Sequence, residues 1–128
     1  MVQILISSAD MKALSELITV LEEDGVKIIL AESCKEVIEK IKTKKCDLII
    51  TDENLMDIKG LECIEKLVMI NPFLNCAAVS SLSHKAFHEA SEGLGILMQI
   101  PVNPKKKDAK KVLKHLMEIL TLTNFKGD

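Results

Sequence analysis

Five short apolar runs alternate along the chain with segments whose apolar positions recur every three or four residues. Val2 to Ile6 is the first run, and Met11 to Asp24 then carries Leu14, Leu17, Ile18 and Leu21 at helical spacing. Asp10 is placed to cap that helix and Gly25 to end it. Val26 to Leu30 repeats the strand signal, and Ser33 precedes a helix bearing Val37, Ile38 and Ile41 that fades into lysines. Cys46 to Asp52 is apolar on both faces at its centre, the pattern of an inner parallel strand covered by helices on each side. A loop from Glu53 to Gly60 leads to a helix with Leu61, Ile64, Leu67 and Val68, which must stop before Asn71-Pro72. Cys76 to Ser80 is a fourth strand, and Ser83 to Glu92 a weak helix with only Ala86, Phe87 and Ala90 to bury. Ile96 to Ile100 is the fifth strand. Asn103 is placed to cap, and Pro104 to open, a last helix lined by Val112, Leu113, Leu116, Met117 and Leu120. Five β-α units predict a doubly wound α/β layer structure.

The 128 residues, 48% hydrophobic and 28% charged, are expected to form a single domain over 1–128. No apolar run approaches the ~20 residues needed to cross a bilayer, and the start lacks the features of a signal peptide. A cytoplasmic protein with no membrane partner is expected. Cys34, Cys46, Cys63 and Cys76 form no C-x-x-C pair, so they are read as small, reduced core residues. All 17 basic residues are lysine, and the absence of arginine makes nucleic acid an unfavoured partner. Charge is uneven: residues 101–128 hold seven lysines and three acids, residues 1–100 ten lysines and sixteen acids. The C-terminal part is therefore suited to an acidic partner.

In an open parallel sheet the functional crevice lies beyond the carboxyl ends of the strands, where chain order reverses. Of the strand ends, the central one presents Asp52. The run CDLIITDENLMDIKG, with Asp52 at the end of its strand and Gly60 eight residues on, resembles the phosphoacceptor strand and loop of two-component response-regulator receiver domains. The likeness covers nearly the whole chain. It implies a flavodoxin-like, doubly wound five-stranded parallel sheet of order 2-1-3-4-5 with five helices. By the same resemblance, Asp52 takes the phosphoacceptor place and Asn54 the position whose backbone carbonyl reaches magnesium. Ser80 takes the switch-hydroxyl position, and Pro101 the proline after the family's lysine, with an Ile100–Pro101 bond expected to be cis.

The chain also departs from that pattern. The metal-holding acidic pair falls on Ser8 and Ala9, or on Ser7 and Ser8 if the register shifts by one. The active-site lysine falls on Ile100, the aromatic switch residue on Leu97, the loop proline on Met56 and the acid before the glycine on Lys59. Magnesium usually takes one or two protein carboxylates, and phosphoryl transfer needs that charge neutralised. Asp52 alone is a poor magnesium site, with Glu53 directed elsewhere. A metal-free pocket is expected instead, in which Ser8 or Ser7 donates a hydrogen bond directly to Asp52, with Ser80 as a further candidate donor.

Other candidates are weaker. His84 and His88 share a helix face but lack a third ligand, and Gly93-Leu94-Gly95 is a turn rather than a dinucleotide motif. Lys105, Lys106, Lys107, Lys110, Lys111 and Lys114 crowd the start of the last helix, where the macrodipole disfavours cations. A partner-binding role fits them, since the resemblance makes the fourth helix, fifth strand and fifth helix an output surface. The function expected is an atypical receiver: a protein-interaction module without efficient magnesium-dependent phosphorylation, no enzyme, needing no cofactor. Its partner would be a signalling protein, a histidine kinase or an output protein. One alternative is a working receiver, phosphorylated on Asp52 by a histidine kinase with magnesium. Another is a small-ligand-binding α/β module using the same crevice.

Overall fold

The computed structural model describes residues 1–127 and the side chains of residues 1–122. Strands β1 (Gln3–Ser7), β2 (Lys27–Ala31), β3 (Leu48–Thr51), β4 (Cys76–Val79) and β5 (Gln99–Ile100) form one parallel sheet in the order β2-β1-β3-β4-β5. Helices α1 (Ser15–Glu23), α2 (Cys34–Thr43), α3 (Gly60–Ile70), α4 (His84–Ala90) and α5 (Lys106–Gly127) connect or follow the strands. This is the doubly wound layer structure that the alternating pattern predicts, with the flavodoxin-like strand order that the resemblance implies.

Alternation along each strand sorts the core into two layers. Ile4, Ile6, Leu48, Ile50, Val79 and Ile100 face α1 and α5, where Leu17, Leu21, Val112 and Leu116 are fully buried. Leu5, Ile49, Ile29 and Ala78 face the opposite way, against Val37, Cys63, Ile64, Leu67 and Phe87 of α2, α3 and α4. The inner strands β1 and β3 thus read as continuous apolar runs because both faces are covered.

Several boundaries differ from the sequence expectation. The first helix opens with a 3-10 turn over Met11–Leu14, because the Asp10 carboxylate accepts the Lys12 N–H at 3.2 Å and holds a tighter start. Strand β3 begins at Leu48 rather than Cys46, since Asp47 turns its carboxylate back to the Gln3 N–H at 2.9 Å. The last helix starts at Lys106, two residues later than expected. Asn103 adopts a left-handed φ of 51°, which Asn tolerates, and carboxylates serve the helix start instead: Asp108 accepts the Lys105 N–H at 2.8 Å and Glu16 the Lys106 N–H at 2.6 Å. Those two anions offset the cations clustered there. Every described peptide bond is trans, Ile100–Pro101 included; trans is the lower-energy isomer, and Ile100 is packed in the sheet, where nothing demands the other.

The cysteine expectation is overturned for one pair. Cys34, in the first turn of α2, and Cys63, in the first turns of α3, form a disulfide with Cα atoms 5.5 Å apart. Helix packing brings together residues 29 apart in sequence, which no local motif could reveal. Cys46 and Cys76 remain free, and burial pushes the Cys76 thiol up to about 12.

The loop from Glu53 to Lys59 is pinned at both ends. At Gly60 a Cβ would collide with the Asp52 backbone carbonyl oxygen and lie 2.8 Å from Thr51 Oγ1, so only glycine lets α3 start this close to β3. Asp57 reaches across to α2 and accepts the N–H groups of Cys34 at 2.8 Å and Lys35 at 3.1 Å. Partial burial raises the Asp57 carboxyl, but these donors, with its own N–H and that of Ile58, outweigh the effect and hold it below the usual carboxylate range.

Gly60→Ala is expected to cost about 1–3 kcal/mol, read as a lower denaturant midpoint at unchanged slope. A lowered folded-state value means that Asp57 stabilises the fold above the ordinary carboxylate range and ceases to do so as pH falls through the folded value. Asp57→Ala should therefore lower the melting temperature at pH 7, with the gap to the parent protein closing below about pH 4.

Candidate functional site

Chain order reverses between β1, which leads out to β2, and β3, which leads toward β4. The crevice beyond their carboxyl ends is the one that sheet topology makes available. Register fixes what meets there. Ser7 pairs with Thr51 and with Ala31, so Ser8 and Asp52 leave the sheet side by side. Asp52 donates its N–H to the Ser7 carbonyl at 2.8 Å, and Ser8 donates its own to the Ala31 carbonyl at 3.1 Å.

The Ser8 hydroxyl donates to Asp52 Oδ2 at 2.6 Å and accepts the Asp10 N–H at 2.8 Å. The other carboxylate oxygen, Oδ1, accepts the Glu53 N–H at 2.8 Å. Both oxygens of Asp52 are thus engaged, by a hydroxyl that is 1% exposed and by the adjoining backbone. A hydroxyl donating to a carboxylate is a charge-assisted bond, and the second contact to Ser8 aims its proton. Ser7 takes no part, because its hydroxyl turns back to the Ile50 carbonyl at 3.1 Å.

The remaining crevice positions are also committed elsewhere. Ala9 donates its N–H to the Asn54 carbonyl at 3.0 Å, which occupies the carbonyl that the resemblance assigns to a metal. Glu53 swings away and accepts both the N–H and the hydroxyl of Ser81, at 2.8 and 2.7 Å. Ser80 Oγ accepts the Leu82 N–H at 3.1 Å, so that hydroxyl is not brought to Asp52, contrary to the expectation of a shared serine pocket. Ile100 is fully buried among the apolar residues packed on α1 and α5.

Magnesium, which the resemblance implies, asks for several hard oxygen ligands in an octahedron. The donor set here is one carboxylate that already accepts two hydrogen bonds, a carbonyl that accepts an N–H, and a serine hydroxyl. Among the described residues no three His, Cys, Asp or Glu side chains cluster to hold a metal. The residues do not fit the ion.

Two features escaped the sequence reading. Gln99 Nε2 donates to the carbonyls of Ser80 at 3.2 Å and Leu82 at 2.8 Å, tying β5 to the start of the α4 connection. No motif marks such a residue. His115 of α5 joins His84 and His88 around an open groove of about 710 Å³ between α4, β5 and α5, which Phe87, Met98 and Lys111 also line. Helical spacing relates the first two histidines, while the third arrives only by packing. Of the lysine cluster, Lys110 is held by Asp24 at 2.8 Å, Lys111 reaches the groove, and Lys105, Lys106, Lys107 and Lys114 are exposed. No described helix is long and apolar enough to cross a membrane.

Known proteins share this architecture. The chemotaxis response regulator CheY4 of Vibrio cholerae superposes with a TM-score of 0.81 at 16% identity, covering 91% of this chain and 98% of that one. A CheY-like receiver domain protein from Methanospirillum hungatei JF-1 gives 0.79 at 24% identity, over 92% and 95% of the two chains. A two-component response regulator from Clostridium difficile gives 0.80 at 23% identity, over 92% and 97%. No curated protein matches the sequence significantly. The family model of the response regulator receiver domain matches residues 4–117, and with a sheet that ends on Asp52 at its point of reversal, the chain belongs to that family of two-component signalling domains.

Proposed function

We propose that this receiver works as a protein-interaction module without efficient magnesium-dependent phosphorylation of Asp52. The observation that carries the reading is the Ser8 hydroxyl bonded to Asp52 at 2.6 Å, where a metal-binding carboxylate would otherwise stand. A phosphoryl group arriving at Asp52 would have to displace that bond. It would also lack the charge that spreads and neutralises its oxygens in the transition state, since Ile100 supplies no cation.

The docking face is formed by α4, β5 and the first half of α5. Among the described residues its groove is lined by Lys111 and three histidines and by no carboxylate, beside apolar Phe87 and Met98. Lys105 and Lys107 extend the positive field at the head of α5. A signalling protein presenting an acidic segment with an apolar anchor is the complementary partner. The likeness to chemotaxis and two-component response regulators supports a role in such a pathway, with a histidine kinase or an output protein as the partner class.

Incubating the protein with acetyl phosphate and magnesium should leave its intact mass unchanged, and beryllofluoride should cause no change in its amide spectrum. The combined change Ser8→Asp, Ala9→Asp, Ile100→Lys should bring phosphorylation in, because it restores two acids and one cation. Rapid addition of one phosphoryl group to the unmodified chain would instead establish the working-receiver reading. Ser8→Ala should cost about 1–2 kcal/mol, since it strips a charge-assisted bond from Asp52 and leaves the Asp10 N–H without its acceptor.

A further inference from the structure

We propose that Cys34 and Cys63 are a reversible thiol–disulfide site, loaded by a low-molecular-weight, carboxylate-bearing disulfide, whose closure clamps the Glu53–Lys59 loop beside Asp52. Placement of the pair carries the argument. Cys34 lies in the first turn of α2 and Cys63 near the start of α3, so the bond joins the heads of the two helices between which that loop runs. The loop is anchored to both. Asp57 bonds the N–H groups of Cys34 and Lys35, Met56 donates its N–H to the Glu32 carbonyl at 2.8 Å, and Gly60 begins α3 against the Asp52 carbonyl. A covalent tie between α2 and α3 therefore removes the freedom with which the loop could part from either.

The cavity beside the pair suits a small reagent. A surface cavity of about 320 Å³ reaches Cys34, itself only 2% exposed, and is lined by Lys35, Lys42 and Lys66 and by the carboxylates of Glu39 and Asp57. The three ammonium groups outnumber the two carboxylates, so the cavity favours an anionic disulfide. The two free cysteines, Cys46 and Cys76, do not line this cavity. In the reaction, one cysteine thiolate attacks the reagent's S–S bond, giving a mixed disulfide and releasing one thiol. The second cysteine then attacks the protein-side sulfur, forming the Cys34–Cys63 bond and releasing the second thiol. Two protein thiols are oxidised, two electrons pass to the reagent, and the two thiol protons leave on its two thiols. Excess reduced thiol reverses each step.

The full-length chain, equilibrated in glutathione buffers from fully reduced to fully oxidised, tests this. After alkylation in denaturant, intact mass should pass from four modified cysteines to two, and peptide mapping should place the bond at Cys34 and Cys63. Hydrogen exchange at residues 54–58 should be several-fold slower in the oxidised form, a difference absent from the Cys34→Ser, Cys63→Ser double variant. Lys66→Glu should slow oxidation by glutathione disulfide several-fold while leaving oxidation by an uncharged disulfide unchanged. Four alkylated cysteines in every buffer, a bond that opens only when the chain unfolds, or loop exchange indifferent to oxidation would each overturn the proposal.

Discussion

The parallel register between β1 and β3, with Ser7 opposite Thr51, decides what the rest of the crevice can be. Backbone pairing carries Ser8 and Asp52 off the sheet together, close enough for a 2.6 Å hydrogen bond. Once that bond forms, the Ser8 hydroxyl has its donor and acceptor roles filled, and the neighbouring Ala9 N–H turns to the Asn54 carbonyl. The oxygens that could surround a cation are instead paired with protein donors. Each such pairing is worth only about 1–3 kcal/mol, yet a metal would have to break several of them at once while offering a single carboxylate in return.

The same economy of donors shapes the helix heads around the crevice. Asp10, Ser33 and Ser83 each accept a backbone N–H at the start of a helix or turn, while Asp57 caps α2 from a different part of the chain. Asp108 and Glu16 do this for α5, which tolerates a lysine-rich first turn because two carboxylates sit on its free N–H groups. The lysines are consequently left to project from α5, except Lys110, which Asp24 holds. A helix end that is electrostatically costly in isolation is partly offset locally while still presenting positive charge outward.

How legible each element was depended on the range of the interaction behind it. Periodicity located all five strands and helices, because burial on one or two faces imposes period on the sequence itself. It misplaced the start of α5, where long-range carboxylates outbid the local signal of Asn103 and Pro104, and it overstated β3, where Asp47 pairs with Gln3 instead. Asp52 could be singled out from its place at the end of the central strand and its spacing to Gly60. Which serine would meet it could not, since Ser7 and Ser8 differ only by the face of a strand whose exact end depends on pairing.

The sequence by itself determined the layered β-α architecture, the single carboxylate at the central strand end and the concentration of lysine near the C-terminal helix, because each of these is written in local composition and spacing. Only the tertiary structure decided that Ser8 rather than Ser7 or Ser80 bonds Asp52, that Cys34 and Cys63 meet across 29 residues, and that His115 shares a groove with His84 and His88. Those three outcomes rest on strand register and helix packing, which are set by contacts between residues distant in the chain and leave no trace in the order of neighbouring residues.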